Sequence, residues 1–172
     1  PWGEADVHLA VRGAHQVGNA LAAVAAALAC DVPLDAAADG LGRATLSPLR
    51  MDLRRARTGA LVLNDAYNAN PTSMAAALRS LAALPGAGRR VALLGPMTEL
   101  ADPFTAHAEI AALASSLDIE LVPTATDLYG CAAVDDPVAA VGPVGPGDAV
   151  LVKASRAARL ERFAEQLLAS AP

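Results

Sequence analysis

Polar side chains crowd four short stretches of an otherwise alanine-rich chain, and each stretch can be given a chemistry. The densest is Asn64-Asp65-Ala66-Tyr67-Asn68-Ala69-Asn70-Pro71, where a proline suited to the first turn of a helix follows a carboxylate and three amides. Asp65 can accept hydrogen bonds from a ribose diol, while Asn68 and the amides at the helix start can face a phosphate or carboxylate. Composition alone favours a plainer reading, with Asn70 as helix cap and Asp65 and Asn68 as turn formers. Tyr67 is the residue a turn does not need. In Val152-Lys153-Ala154-Ser155-Arg156, two cations at a strand-to-helix junction suit either an anion or a solvated basic face. A third stretch, Leu93-Leu94-Gly95-Pro96-Met97-Thr98-Glu99-Leu100, has His107 and Glu109 beyond it. Histidine with carboxylates can serve metal or acid-base chemistry, although a single helical histidine is more often a packing or surface residue. In Gly13-Ala14-His15-Gln16-Val17-Gly18-Asn19, Asn19 either bonds a specific partner such as an adenine edge or lies on an exposed helical stripe. Arg50 stands apart from Arg54, Arg55 and Arg57, which have the pattern of a hairpin's solvent face.

Several common chemistries are excluded. The only lysine is Lys153, and no glycine pair precedes it at Walker A spacing, so this chain contains no P-loop. Gly86-Ala87-Gly88 follows a helix pattern and lacks a third glycine, which leaves dinucleotide binding unsupported. No G-x-S-x-G elbow occurs, so a hydrolase reading lacks its nucleophile. Cys30 and Cys131 have neither C-x-x-C spacing nor a partnering histidine pattern, which argues against a zinc site or disulfide framework and for a reducing cytoplasm.

The elements that must carry these residues follow from periodicity. Residues 6–11 alternate and run into Arg12-Gly13, as a strand closing into a turn. Helices are expected over 14–30 and 34–41, and the turn-rich stretch 42–48 then offers a domain boundary. Residues 50–56 and 60–64 form a hairpin pattern around Arg57-Thr58-Gly59, and Asn70-Pro71 opens a helix running to residue 84. Strands at 91–94, 119–122 and 149–152 then alternate with helices at 103–117, 137–141 and 157–169. The fold class is therefore α/β, with a largely parallel sheet covered on both faces. The 172 residues, 54% of them hydrophobic and 18% charged, suffice for a folded core. A net charge of -5 and 3% aromatics argue against nucleic acid or an anionic membrane as the main partner. The longest apolar stretch, 17–30, contains Asn19 and falls short of the roughly 20 residues a membrane span needs. The first residue is Pro1 rather than Met, so the chain is expected to be a fragment.

Taken in order, the four stretches resemble one family, the ATP-dependent Mur ligases of bacterial cell-wall synthesis. Residues 13–23 are similar to the family's histidine-asparagine helix at the end of its central ATPase domain. Residues 64–71 with Ser73-Met74 resemble a tyrosine-asparagine-alanine-asparagine-proline loop of the branch that receives D-alanyl-D-alanine. Gly95, Met97, Glu99 and Leu100 resemble a glycine-x-methionine-x-glutamate-leucine stretch, and Lys153-Ala154-Ser155-Arg156 a lysine-x-serine-arginine turn. The resemblance implies that residues 1–44 are the helical tail of a P-loop ATPase-type central domain and 45–172 a Rossmann-like C-terminal domain. It implies an amide ligase acting on UDP-N-acetylmuramoyl-tripeptide and D-alanyl-D-alanine, using ATP and Mg2+, with the P-loop and metal ligands before Pro1. By motif, Asn19 would touch adenine, Arg50 the phosphates and Asp65 the ribose. Tyr67, Asn68 and Asn70 would shape the closed site, and Lys153, Ser155 and Arg156 would face the entering amine component. No catalytic residue is assigned. The expected setting is a cytoplasmic monomer, without nucleic acid or membrane, and the fragment alone is expected to be inactive.

Four positions depart from the family pattern. Leu49 replaces a frequent glycine before Arg50, Pro96 a frequent acidic residue, and Ala101 and Ala154 frequent glycines. Pro96 fixes φ and removes a donor, which bears on any contact made at that point. The competing readings are another Mur or folylpolyglutamate-type ligase, and a non-catalytic α/β binding domain that kept the fold without the chemistry.

Overall fold

The computed structural model describes residues 2–11, 13–45, 49–86 and 88–171. Arg12 of the expected first turn, residues 46–48 of the expected boundary and Ala87 between the two glycines lie outside the described residues. The chain divides into two compact units, Pro1–Ser47 and Pro48–Pro172.

The first unit holds two helices, α1 (His15–Ala29) and α2 (Leu34–Gly42), separated by Asp31 in a left-handed turn (φ 59°) and by Pro33. The expected strand at 6–11 is not formed: its described residues carry no ladder, and the described part of this unit contains no second strand to pair with it. An isolated alternating segment cannot satisfy its backbone alone.

The second unit is a five-stranded sheet with helices on its faces. Its strands are β1 (Asp52–Arg55), β2 (Leu61–Asn64), β3 (Arg90–Leu94), β4 (Glu120–Pro123) and β5 (Ala149–Lys153), in the spatial order β1-β2-β5-β3-β4. The hairpin partner β1 is antiparallel to β2, and every other pairing is parallel. The central strand β5 is buried at all five residues, as a strand covered on both faces must be, and its apolar run ends in Lys153.

Helix α3 (Pro71–Ala82) buries Met74, Ala77, Leu78 and Leu81, a single face at helical spacing. Pro71 supplies the first helical position while Asn70 and Ser73 bond reciprocally, Asn70 accepting from the Ser73 amide at 2.9 Å and Ser73 Oγ from the Asn70 amide at 3.1 Å. Asp102 before α4 (Pro103–Ser116) and Asp136 before α5 (Pro137–Val141) repeat the arrangement of a side-chain cap followed by proline, with a carboxylate in place of the amide. The last helix differs from expectation. A single turn at Arg156–Ala158 is broken by Arg159 in the left-handed region (φ 52°), and α6 (Glu161–Ala169) begins only after Leu160, which is fully buried. Seating Leu160 in the core takes precedence over continuing the helix.

Candidate functional site

Parallel strands present their carboxyl ends along one edge of the sheet, where α/β proteins collect ligands. Here the register sets Asn64 opposite Val152 and Leu94 opposite Lys153, so the residues following β2, β5 and β3 emerge side by side. Expected site residues meet at this edge, around the pair Asp65 and Lys153. Lys153 Nζ lies 2.5 Å from Asp65 Oδ2 and donates to the Asn68 carbonyl at 2.8 Å. Its side chain is 2% exposed and that of Asp65 12%. Burial pushes the Lys153 ammonium below its ordinary pKa of 10.5; Asp65 opposes the shift and the charge of Arg50 adds to it.

The other Asp65 oxygen, Oδ1, accepts from the Met51 amide at 3.0 Å, and the Tyr67 amide donates to the Leu49 carbonyl at 3.1 Å. These bonds splice the loop after β2 to the segment preceding β1, in which Leu49 (φ 66°) and Met51 (φ 51°) are both left-handed. The Arg50 guanidinium between them stacks 4.0 Å above the centre of the Tyr67 ring, and that ring remains 42% exposed. Arg50, Asp65, Tyr67, Asn68 and Lys153 therefore form one cluster, in which two positive charges meet one negative. A carboxylate has about four acceptor positions. Among the described residues Asp65 spends two on Met51 and Lys153, which leaves an acceptor on each oxygen for a diol.

The side-chain amides of Asn68 and Asn70, and the remaining expected residues, are engaged elsewhere. Asn70 uses its side-chain oxygen as the cap of α3, and Asn68 Oδ1 accepts from the Ala69 amide at 2.9 Å. Ser155 is buried and accepts from the Thr98 amide at 2.9 Å and from Thr98 Oγ1 at 3.0 Å, while exposed Arg156 pairs with Glu161 at 3.2 Å. Lys153, Ser155 and Arg156 thus follow one another in sequence without converging on one point. In the first unit, Asn19 is exposed and donates to Gln16 Oε1 at 2.8 Å, and among the described residues its second N–H and its oxygen stay available for an adenine edge.

The stretch after β3 is positioned by packing. A Cβ on Gly95 would lie 2.5 Å from Leu160 Cδ1 and 2.7 Å from Ala154 Cβ, so glycine is required there. Tyr129 donates to the Gly95 carbonyl at 2.8 Å, and burial raises its hydroxyl pKa. His107 is fully buried and its Nε2 accepts from the Met97 amide at 3.1 Å, so this histidine is a packing residue, as is usual for one on a helix. Among the described residues, no group of three or more His, Cys, Asp or Glu gathers to hold a metal ion, and no helix is long and apolar enough to cross a membrane. Cys30 and Cys131 are free.

The ion pair between Asp65 and Lys153 is what reading the motifs singly did not reveal. Its sequence signal is that the only lysine among thirteen basic residues ends a fully apolar strand, where a charge needs a partner.

Residues 49–156 match the family model described as Mur ligase, glutamate ligase domain. The chain belongs to the Mur ligase family. Over 93% of its length it is 34% identical to the UDP-N-acetylmuramoyl-tripeptide–D-alanyl-D-alanine ligase of Bacillus subtilis, 39% of which it covers. Among solved structures it resembles MurF from Acinetobacter baumannii, with a TM-score of 0.81 at 30% identity, covering 98% of this chain and 40% of that one. It also resembles the MurF ligase of Thermotoga maritima solved in complex with ADP, with a TM-score of 0.76 at 25% identity, covering 91% and 38% of the two chains. This Mur ligase chain therefore spans about two fifths of the length of each of these three relatives.

Proposed function

We propose that this chain is the C-terminal part of an ATP-dependent ligase that joins D-alanyl-D-alanine to UDP-N-acetylmuramoyl-tripeptide. Residues 1–44 are then the tail of the central ATPase domain and 45–172 the C-terminal domain. The γ-phosphoryl group passes from ATP to the tripeptide carboxylate, releasing ADP. The amine of the dipeptide adds to the acyl phosphate, and the tetrahedral intermediate loses inorganic phosphate and a proton to give the amide.

One observation carries this reading: Arg50, Asp65 and Lys153 lie together at the carboxyl edge of the sheet, beside the Tyr67-Asn68-Ala69-Asn70-Pro71 loop. Asp65 is proposed for the ribose diol, Arg50 for the phosphates as charge develops on the transferred group, and Asn19 for adenine. Tyr67, Asn68 and Asn70 shape a site whose closure keeps water from the acyl phosphate. Ser155 and Arg156 are proposed for the side of the entering amine. Mg2+ accompanies ATP, with ligands expected outside this chain, and the working protein is proposed to be a cytoplasmic monomer.

The test is phosphate release by the complete polypeptide given ATP, magnesium and UDP-N-acetylmuramoyl-tripeptide, with and without D-alanyl-D-alanine. Release that depends on the dipeptide is expected. A folded, ATP-binding protein that shows no such dependence would overturn the reading.

A further inference from the structure

Lys153 opens the same short stretch as Ser155 and Arg156, yet its ammonium is turned towards the loop after β2. It reaches the Asp65 carboxylate at 2.5 Å and the Asn68 carbonyl at 2.8 Å, with the Asp65 carbonyl at 3.5 Å. At 2% exposure it has little surface left for a substrate, and all of these acceptors belong to residues 65–68. Asp65 is the residue proposed for the ribose, and Asn68 lies in the loop that ends in the capped helix α3. An ammonium has three donors, and one rigidly placed on both acceptors ties their relative positions together.

We propose that Lys153 is a positioning residue of the nucleotide site: it clamps the Asp65 carboxylate to the Asn68 carbonyl and so couples recognition of the ribose to the shape of the 65–70 loop. This assignment rests on the nucleotide reading above and differs from a role for Lys153 in holding the amine component. Ser155 and Arg156 can serve that side without it, because Ser155 bonds Thr98 and Arg156 pairs with Glu161, neither of which is a partner of Lys153.

The experiment uses the complete polypeptide and two independent readouts. In the first, Lys153→Met is compared with wild type for ADP affinity by calorimetry and for the KM of D-alanyl-D-alanine. A loss of ADP affinity of tenfold or more, with the dipeptide KM within about twofold, is the expected result. A raised dipeptide KM with unchanged ADP affinity would overturn the proposal. In the second, which needs no variant and so survives a failure of Lys153→Met to fold, lysine acylation is followed by peptide mass spectrometry on the wild-type protein. Lys153 is the only lysine of this chain, so its modified peptide is unambiguous. Saturating ADP is expected to slow its acylation at least fivefold and D-alanyl-D-alanine alone to leave it unchanged; protection by the dipeptide and not by ADP would overturn the proposal. ADP protection with no dipeptide-dependent phosphate release would sink the ligase assignment and leave the clamp standing.

Discussion

Asp65→Asn is the substitution that most directly tests whether the ion pair at the sheet edge is desolvated. Asparagine keeps an oxygen that can accept from the Met51 amide, but it removes the charge facing an ammonium that is 2% exposed. Leaving one member of a buried pair uncompensated costs about 3–5 kcal/mol. Lys153 can escape that penalty by losing its proton. From its ordinary value of 10.5, this costs about 1.36 kcal/mol per pH unit, hence about 4 kcal/mol at pH 7.5 and about 1.4 kcal/mol at pH 9.5. The smaller quantity limits the loss, so Asp65→Asn is expected to destabilise by about 3–4 kcal/mol at the lower pH and about 1–1.5 kcal/mol at the higher. The wild-type trend has the same origin. The folded Lys153 releases its proton below 10.5 while the unfolded one does not, so the unfolded chain binds more protons in that window and stability rises with pH there. The assay is urea unfolding followed by far-UV circular dichroism, because the single tryptophan of this sequence, Trp2, belongs to the other unit. A destabilisation that is the same at both pH values would show that Lys153 is not held in a desolvated pair.

In the complete polypeptide, Asp65→Ala should weaken ATP binding by about 1–3 kcal/mol, the range for a lost hydrogen bond to a charged group and the loss of its clamp; unchanged affinity in a calorimetric titration would remove Asp65 from the site. Gly95→Ala forces a methyl to within 3 Å of both Leu160 and Ala154, and a lower urea midpoint corresponding to about 1–3 kcal/mol is expected. Asn70→Ala deletes the reciprocal cap of α3 and should reduce stability by about 0.5–2 kcal/mol, with faster amide exchange confined to the first turn of that helix; uniform exchange along α3 would contradict the capping role.

Much of the second unit is legible because its signals are local. Asn70-Pro71, Asp102-Pro103 and Asp136-Pro137 each announce a helix start by a cap and a first-turn proline, and β3 and β5 are apolar runs too short for helices. The misreadings occur where a distant contact decides. Residues 6–11 alternate as a strand would, but a ladder requires a partner that sequence pattern does not supply. Residues 157–169 have the composition of one helix, yet Leu160 fills the space against Gly95, and Arg159 turns left-handed so that it can. The site divides in the same way. The types and order of Arg50, Asp65, Tyr67, Asn68 and Asn70 are visible in the chain. That Lys153 belongs to Asp65, 88 positions away, depends on the placement of β5 between β2 and β3.

The segment before β1 shows what that cluster has to hold. A left-handed backbone disfavours a residue with a Cβ by about 1–2 kcal/mol, and Leu49 and Met51 both adopt it on either side of Arg50. Two hydrogen bonds oppose this strain, from the Met51 amide to the Asp65 carboxylate and from the Tyr67 amide to the Leu49 carbonyl, together with the stacking of Arg50 on Tyr67. Replacing Leu49 by glycine relieves the strain there but frees the unfolded chain by about 0.5–1 kcal/mol and forfeits the half-buried side chain. The opposing effects nearly cancel, and global stability should move by no more than about 1 kcal/mol. What should change is local. With glycine at 49 the segment gains alternatives to the conformation that sets Arg50 on Tyr67, so amide exchange at Met51 and Tyr67 should accelerate while the sheet keeps its protection. Unchanged exchange at both amides would mean that Asp65 and Tyr67 hold Arg50 in place whatever residue precedes it.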